Sequence, residues 1–232
     1  MYRPAIENGV NMTQRGILVG AAFVLAAVAA GVFFWTQNVP LPSAVSSLPS
    51  DRPPAAPPSE PSSEQKLVKT MNERAVGGGY AATFSEREGA QWTVSDGHRL
   101  ERLSIGGGTV LARLSSGKAL TADMMLGGVH LELPEQFATT SNGQKIEVGL
   151  VARRAKTNSS DTISVIYLTR QAGNSGWQTF SLADDFQLNT FEYSVPQVVE
   201  GYTAKPIVAI YGDLSGSDRG VEILGVYIKL KQ

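Results

Sequence analysis

At 232 residues and a net charge of −1, the chain is long enough for one sizeable folded unit with appendages, and it carries no basic field of the kind that gathers nucleic acid. It has no cysteine, which excludes disulfides, thiol nucleophiles and cysteine-ligated metals and suits an oxidising compartment. Its two histidines, His98 and His130, stand far apart in sequence, which argues against histidine-rich metal chemistry.

A short N-terminal tail, residues 1–15, precedes the uncharged run "GILVGAAFVLAAVAAGVFFW". About 20 apolar residues are what a helix needs to cross roughly 30 Å of hydrocarbon, so residues 16–36 are expected to form a transmembrane helix. A cleaved signal peptide is the rival, because "AVAAG" offers small residues at a cleavage position. The apolar run continues through Val32, Phe33 and Phe34 to an interfacial Trp35, which favours an uncleaved anchor. Arg3 and Arg15 precede the helix and the next basic residue is Arg52, so the tail is expected in the cytoplasm and the C-terminal part across a bacterial inner membrane, in the periplasm.

Residues 37–76 follow as a linker. Eight of the chain's twelve prolines fall between Gln37 and Pro61, among Ser and Ala, a composition that cannot bury enough apolar surface to fold. At about 3.1 Å per residue the proline-rich part would hold the rest of the chain on the order of 80 Å from the bilayer. Its last piece, "SSEQKLVKTMNERAV", has the composition of a short helix ending at Gly77, Gly78 and Gly79.

Residues 77–232 read as all-β. Short runs rich in Val, Ile, Thr, Tyr and Phe are separated by turn signals such as "SDG", "GGG", "SNG" and "GNSG", and helical periodicity is missing. "KIEVGLVARR" alternates, with Ile146, Val148, Leu150 and Ala152 on one face, whereas "DTISVIYLTR" is apolar on both. In the terminal "GVEILGVYIKLK", Leu224, Val226, Ile228 and Leu230 are expected inward and Gly225, Tyr227 and Lys229 outward. About eight to ten strands in some 150 residues imply a two-sheet β-sandwich or jelly roll.

The order "IEVGLVARRA", "ISVIYLTR", "GWQTFSL", "FEYSVP", "PIVAIYGDLSG" and "VEILGVYIKL" resembles the galactose-binding-like β-jelly-roll superfamily, which includes many carbohydrate-binding modules. The resemblance covers residues 90–230 and implies a sandwich that binds glycan or serves adhesion and assembly. In carbohydrate-binding members a late strand often carries acidic residues that help to hold a structural calcium. The corresponding place here reads Leu224, Gly225, Val226, a departure from that pattern.

The aromatic stretch "GNSGWQTFSLADDFQLNTFEYSVP" splits by phase. Phe191 and Tyr193 share one strand face, Phe180 and Leu182 face inward on the preceding strand, and Phe186 with Leu188 takes the opposite phase, so packing accounts for most of the rings. Trp177 falls out of phase after Gly176 and either closes the end of the core or stacks on a sugar ring. Asp184, Asp185, Gln187 and Asn189 are the polar candidates to bond sugar hydroxyls beside it, and Tyr167 and Tyr211 are further candidate rings. In "GDLSGSDRG", Asp213 and Asp218 are candidate calcium ligands, although Asp, Ser and Gly are also ordinary turn residues. Arg153 and Arg154 read as an edge-strand charge against aggregation.

No nucleophile elbow, zinc-protease helix or phosphate loop is present in the sequence. The expectation is therefore a non-enzyme without a cofactor, save a structural calcium: a membrane-anchored periplasmic module that binds a glycan or exopolysaccharide, or works within an envelope polysaccharide machine. The alternative is a non-catalytic structural or assembly subunit of a membrane protein complex, with no small ligand.

Overall fold

The computed structural model describes residues 60–85, 92–199 and 204–231. The expected anchor and the proline-rich stretch before residue 60 lie outside the described residues. Among those described, no helix is long and apolar enough to cross a membrane.

Two antiparallel sheets face each other. Sheet A orders β10 (Gln187–Ser194), β6 (Lys145–Arg154), β12 (Gly220–Leu230), β4 (Thr109–Ser116) and β3 (His98–Gly106), with β1 (Tyr80–Thr83) also on β12. Sheet B orders β2 (Trp92–Val94), β5 (Val129–Glu132), β11 (Ile207–Tyr211), β7 (Thr162–Thr169) and the two-residue β8 (Gly173–Asn174), with β9 (Gln178–Ser181) also on β7. From β4 onward the chain crosses between sheets at almost every connection. The orders β4-β12-β6-β10 and β5-β11-β7-β9 that result are those of an eight-stranded jelly roll, a β-sandwich as the spacing of strands predicts.

The inward phases agree with the sequence pattern on β6, where Ile146, Val148, Leu150 and Ala152 lie in the central core. On β12 they do not. The register slips between Ile223 and Gly225, a bulge that leaves Val226 and Ile228 inward but turns Leu224 to the outer face of sheet A. A bulge adds one residue and reverses the alternation on one side of it, which simple period-2 reading cannot anticipate. The missed helix is α2 (Glu135–Ser141), seven residues after Pro134 that bury Phe137 and Ala138; it is too short to show a periodic stripe.

The other helix, α1 (Ser63–Arg74), is no part of a free linker. It starts with a reciprocal capping box between Ser62 and Gln65 and carries Leu67, Met71 and Ala75 four apart on one face. That face packs on the outer side of sheet A against Leu111, Val151, Leu224 and Tyr227, with Met71 fully buried. Two glycines admit this layer: a Cβ at Gly149 would lie 2.1 Å from the Tyr227 ring, and one at Gly225 would lie 2.8 Å from the Met71 methyl. The folded unit thus begins before residue 77, because the helix covers a sheet face that would otherwise expose apolar side chains.

The C-terminal end of α1 is fixed by charge. Arg74 Nη1 donates to the Tyr227 hydroxyl at 3.1 Å, and that hydroxyl donates to Glu147 Oε1 at 2.5 Å. Burial and the hydrogen bond to Glu147 push the Tyr227 phenol up to about 12. Burial also pushes the Glu147 carboxyl up, but hydrogen bonds from Tyr227 and Lys229 outweigh it and leave the group below its usual range. On the same face Glu192 pairs with Lys145 and Lys231.

Met71→Ala is expected to destabilise the fold by roughly 2–5 kcal/mol, the cost of a cavity under the helix, measured by chemical denaturation. The two lysines hold Glu192 near pH 2, below its ordinary 4.5, so its contribution is complete above about pH 4.5 and disappears as the pH falls toward 2. In melting curves taken across that window, Glu192→Gln should lose less stability on acidification than the parent chain.

Candidate ligand-binding surfaces

β9 pairs with β7 in the register Ile163↔Phe180 and Ser164↔Thr179. Phe180 therefore points into the core, and Thr179 and Trp177 take the outer face of sheet B. There the indole N–H of Trp177 donates to the Met124 carbonyl at 2.7 Å, and its ring meets Tyr211 edge-on at 5.8 Å. The residue is half-buried. The loop between β4 and β5 that supplies Met124 also presents Met125, 59% exposed, and Leu126, 41% exposed. The Asn174 amide reaches the Met125 sulfur at 3.3 Å. Trp177, Asn174 and Thr179 thus share this face with the exposed loop residues Met125 and Leu126, whereas Gln178, opposite core Val165, takes the inward phase.

Met124, Met125 and Leu126 were not anticipated from the sequence. The available signal was "MMLGG", an apolar run outside any alternating strand, followed by Gly127, where a Cβ would lie 3.2 Å from the Tyr211 ring.

The other candidate rings are structural. Tyr167 is fully buried on the inner face of sheet B, with its hydroxyl 3.4 Å from Ser141 Oγ and its ring 6.0 Å from Tyr193. Tyr211 is also fully buried and donates its hydroxyl to the Lys118 carbonyl at 2.7 Å. Neither ring has a face to offer a ligand, because the β4–β5 loop covers one and the core encloses the other.

The polar candidates do not gather at Trp177. Asp184 and Asp185 are exposed where the chain leaves sheet B for sheet A, with Asp184 3.7 Å from Arg154. Gln187 and Asn189 start β10 at the edge of sheet A, where the Asn189 amide donates to the Gln187 carbonyl at 3.3 Å. Four residues of β9 and the crossing between sheets separate this group from the indole. Arg153 and Arg154 lie on β6, second in its sheet and not at an edge. Arg153 pairs with Glu222 at 2.7 Å and stacks 4.2 Å from the Phe186 ring centre, which explains the outward phase of Phe186.

The acidic loop between β11 and β12 is closed upon itself. Asp213 accepts from Ser215 N–H and Oγ, from Ser217 N–H at 2.8 Å and from Arg219 N–H at 2.9 Å. Burial raises its carboxyl, but these hydrogen bonds outweigh that and hold it below the usual range. Asp218 is occupied by Ser115 Oγ at 2.8 Å and Arg99 at 3.0 Å. The two carboxylates serve different donors, and both are engaged by groups of the protein itself. Among the described residues no three His, Cys, Asp or Glu side chains come together as metal ligands. The place where the resemblance would put acidic calcium ligands is apolar, with Leu224 buried beneath α1.

No family model matches the sequence, and neither does any curated protein. Solved structures with a similar shape include the CBM22-1 xylan-binding domain from Paenibacillus barcinonensis Xyn10C, at a TM-score of 0.40 and 13% identity, covering 65% of this chain and 92% of that one. The C-terminal CBM6 of LamC from Zobellia galactanivorans is similar at 0.37 and 12% identity, covering 65% and 98%. A CBM4 structure is similar at 0.39 and 13% identity, covering 66% and 86%.

Chelator is expected to leave the melting temperature of the chain unchanged, whereas Asp213→Asn should cost about 1.5–3 kcal/mol by leaving loop N–H donors without a charged acceptor. Thermal melts of the two chains with and without chelator check both outcomes.

Proposed function

We propose that this chain is a non-catalytic glycan-binding module held on a single membrane-spanning helix, with its jelly roll on the periplasmic side of a bacterial inner membrane. The observation that carries the binding half is Trp177. A half-buried indole gripped through its N–H, beside the exposed Met125 and Leu126, is suited to stack on a sugar ring. The amide of Asn174 and the hydroxyl of Thr179 supply the donors and acceptors that orient hydroxyl groups at such a surface. Support for the anchor is the uncharged run of residues 16–36 and the placement of Arg3 and Arg15 before it. The proline-rich segment then gives a surface-bound module the reach to meet an extended polysaccharide.

Affinity electrophoresis of the detergent-solubilised full chain through gels containing neutral polysaccharides tests the binding half. Retardation is expected, and Trp177→Ala should weaken it about tenfold or more while the variant still melts cooperatively. A folded Trp177→Ala chain with unchanged retardation overturns the stacking role. No retardation at all, with co-purification of a stable membrane complex, would favour an assembly subunit.

A further inference from the structure

A cavity of about 680 Å³ wraps the free edge of β3, which ends sheet A, and reaches Val94 on β2, which ends sheet B. Its polar wall carries Arg99, Glu101, Arg113, Ser115, Asn158 and Asp218. Four of these are set by strand register, which pairs Arg99 with Ser115 and Glu101 with Arg113 on the outer face of the β3–β4 hairpin.

The other two come from loops in an unusual conformation. Asn158 and Asp218 are the non-glycine residues with positive φ among those described, at 46° and 59°. Such left-handed positions cost of order 1 kcal/mol and persist where neighbouring structure enforces them, often beside ligands. Here the two loops brace each other: the Asn158 amide donates to the Asp218 carbonyl at 2.9 Å, and the Gly220 N–H donates to the Asn158 carbonyl at 2.6 Å.

The guanidinium of Arg113 is also fixed in place, donating to the Thr157 hydroxyl at 3.2 Å and to the Thr157 carbonyl at 2.6 Å. Gly220 makes room for it, since a Cβ there would lie 2.7 Å from Arg113 Nε. Neither Arg113 nor Glu101 forms an ion pair among the described residues, whereas Asp218 is paired with Arg99. Two cations and two anions cancel, so the wall has no net charge with which to collect an ion. What remains for a ligand is the exposed Glu101 carboxylate and the further N–H groups of the Arg99 and Arg113 guanidiniums, held in position beside an apolar wall, Val94, which is 42% exposed. Vicinal hydroxyls both donate to carboxylates and accept from guanidinium and amide groups, which makes an uncharged polyhydroxyl compound the matching ligand.

We infer that this cavity is a second saccharide site, taking a neutral sugar unit at the β3 edge. It rests on the glycan-binding reading for its class of ligand but uses none of the residues around Trp177. His98, at the rim of the cavity, packs edge-on against Tyr211 at 4.7 Å, and Tyr211 also meets Trp177 edge-on at 5.8 Å. The two sites therefore both border one buried ring, Tyr211.

Isothermal titration of the full chain in detergent with neutral xylan and glucan hexaoses tests the inference. Two binding events are expected, of which Trp177→Ala removes one. Glu101→Ala, a change at an exposed side chain, should weaken the other at least tenfold and leave the Trp177 event at parental affinity; Arg113→Lys should act in the same direction. Glu101→Ala and Arg113→Lys chains that melt like the parent and keep its stoichiometry and affinity overturn the cavity site alone. A Trp177→Ala chain that does so overturns the sheet B site alone. Binding of oligogalacturonate in place of the neutral hexaoses overturns the neutral assignment, and no heat with any of the three overturns both sites.

Discussion

The bulge between Ile223 and Gly225 in β12 organises this molecule. Before it, one edge of β12 pairs with β4; after it, the same edge pairs with β1, while β6 runs the full length of the other side. One strand therefore carries three partners, and the change of phase turns Leu224 outward. An outward leucine beside Leu111 and Val151 makes an apolar stripe on a face that would otherwise meet water, and α1 exists in the fold to cover it. The helix in turn brings Arg74 to Tyr227 and Glu147, so the outer charge network is also a consequence of the bulge.

The two sheets are covered by different means. Sheet A is roofed at its centre by a helix and studded with ion pairs, with one cavity between α1 and the β3–β4 turn and another along the β3 edge. Sheet B is roofed at one end by the β4–β5 loop, which hides Tyr211 and grips the indole of Trp177 through a carbonyl. The same carbonyl contact that completes the packing also fixes the orientation of the indole.

Much of this was legible in the chain. Alternation placed Ile146, Val148, Leu150 and Ala152 inward and assigned Phe180, Phe191 and Tyr193 to packing, and turn residues marked most strand ends. The candidate site was legible only at Trp177, because it breaks phase directly after Gly176. Asp184, Asp185, Gln187 and Asn189 lie near it in sequence but on the other side of the crossing between sheets. Asp213 and Asp218 have the right chemistry for a cation, yet their oxygens are taken by the loop's own N–H groups and by Arg99.

The sequence by itself determined the all-β class, the short helix that ends at Gly77–Gly79, and the solitary position of Trp177, because alternation, helix composition and turn chemistry act over a few residues. Only the tertiary structure decided that α1 belongs to the sandwich, that Leu224 faces outward, that Tyr167 and Tyr211 are core, and that Arg113, Asn158 and Asp218 share one cavity. Those outcomes depend on strand register and on contacts between residues as far apart as Arg74 and Tyr227, which no local pattern encodes.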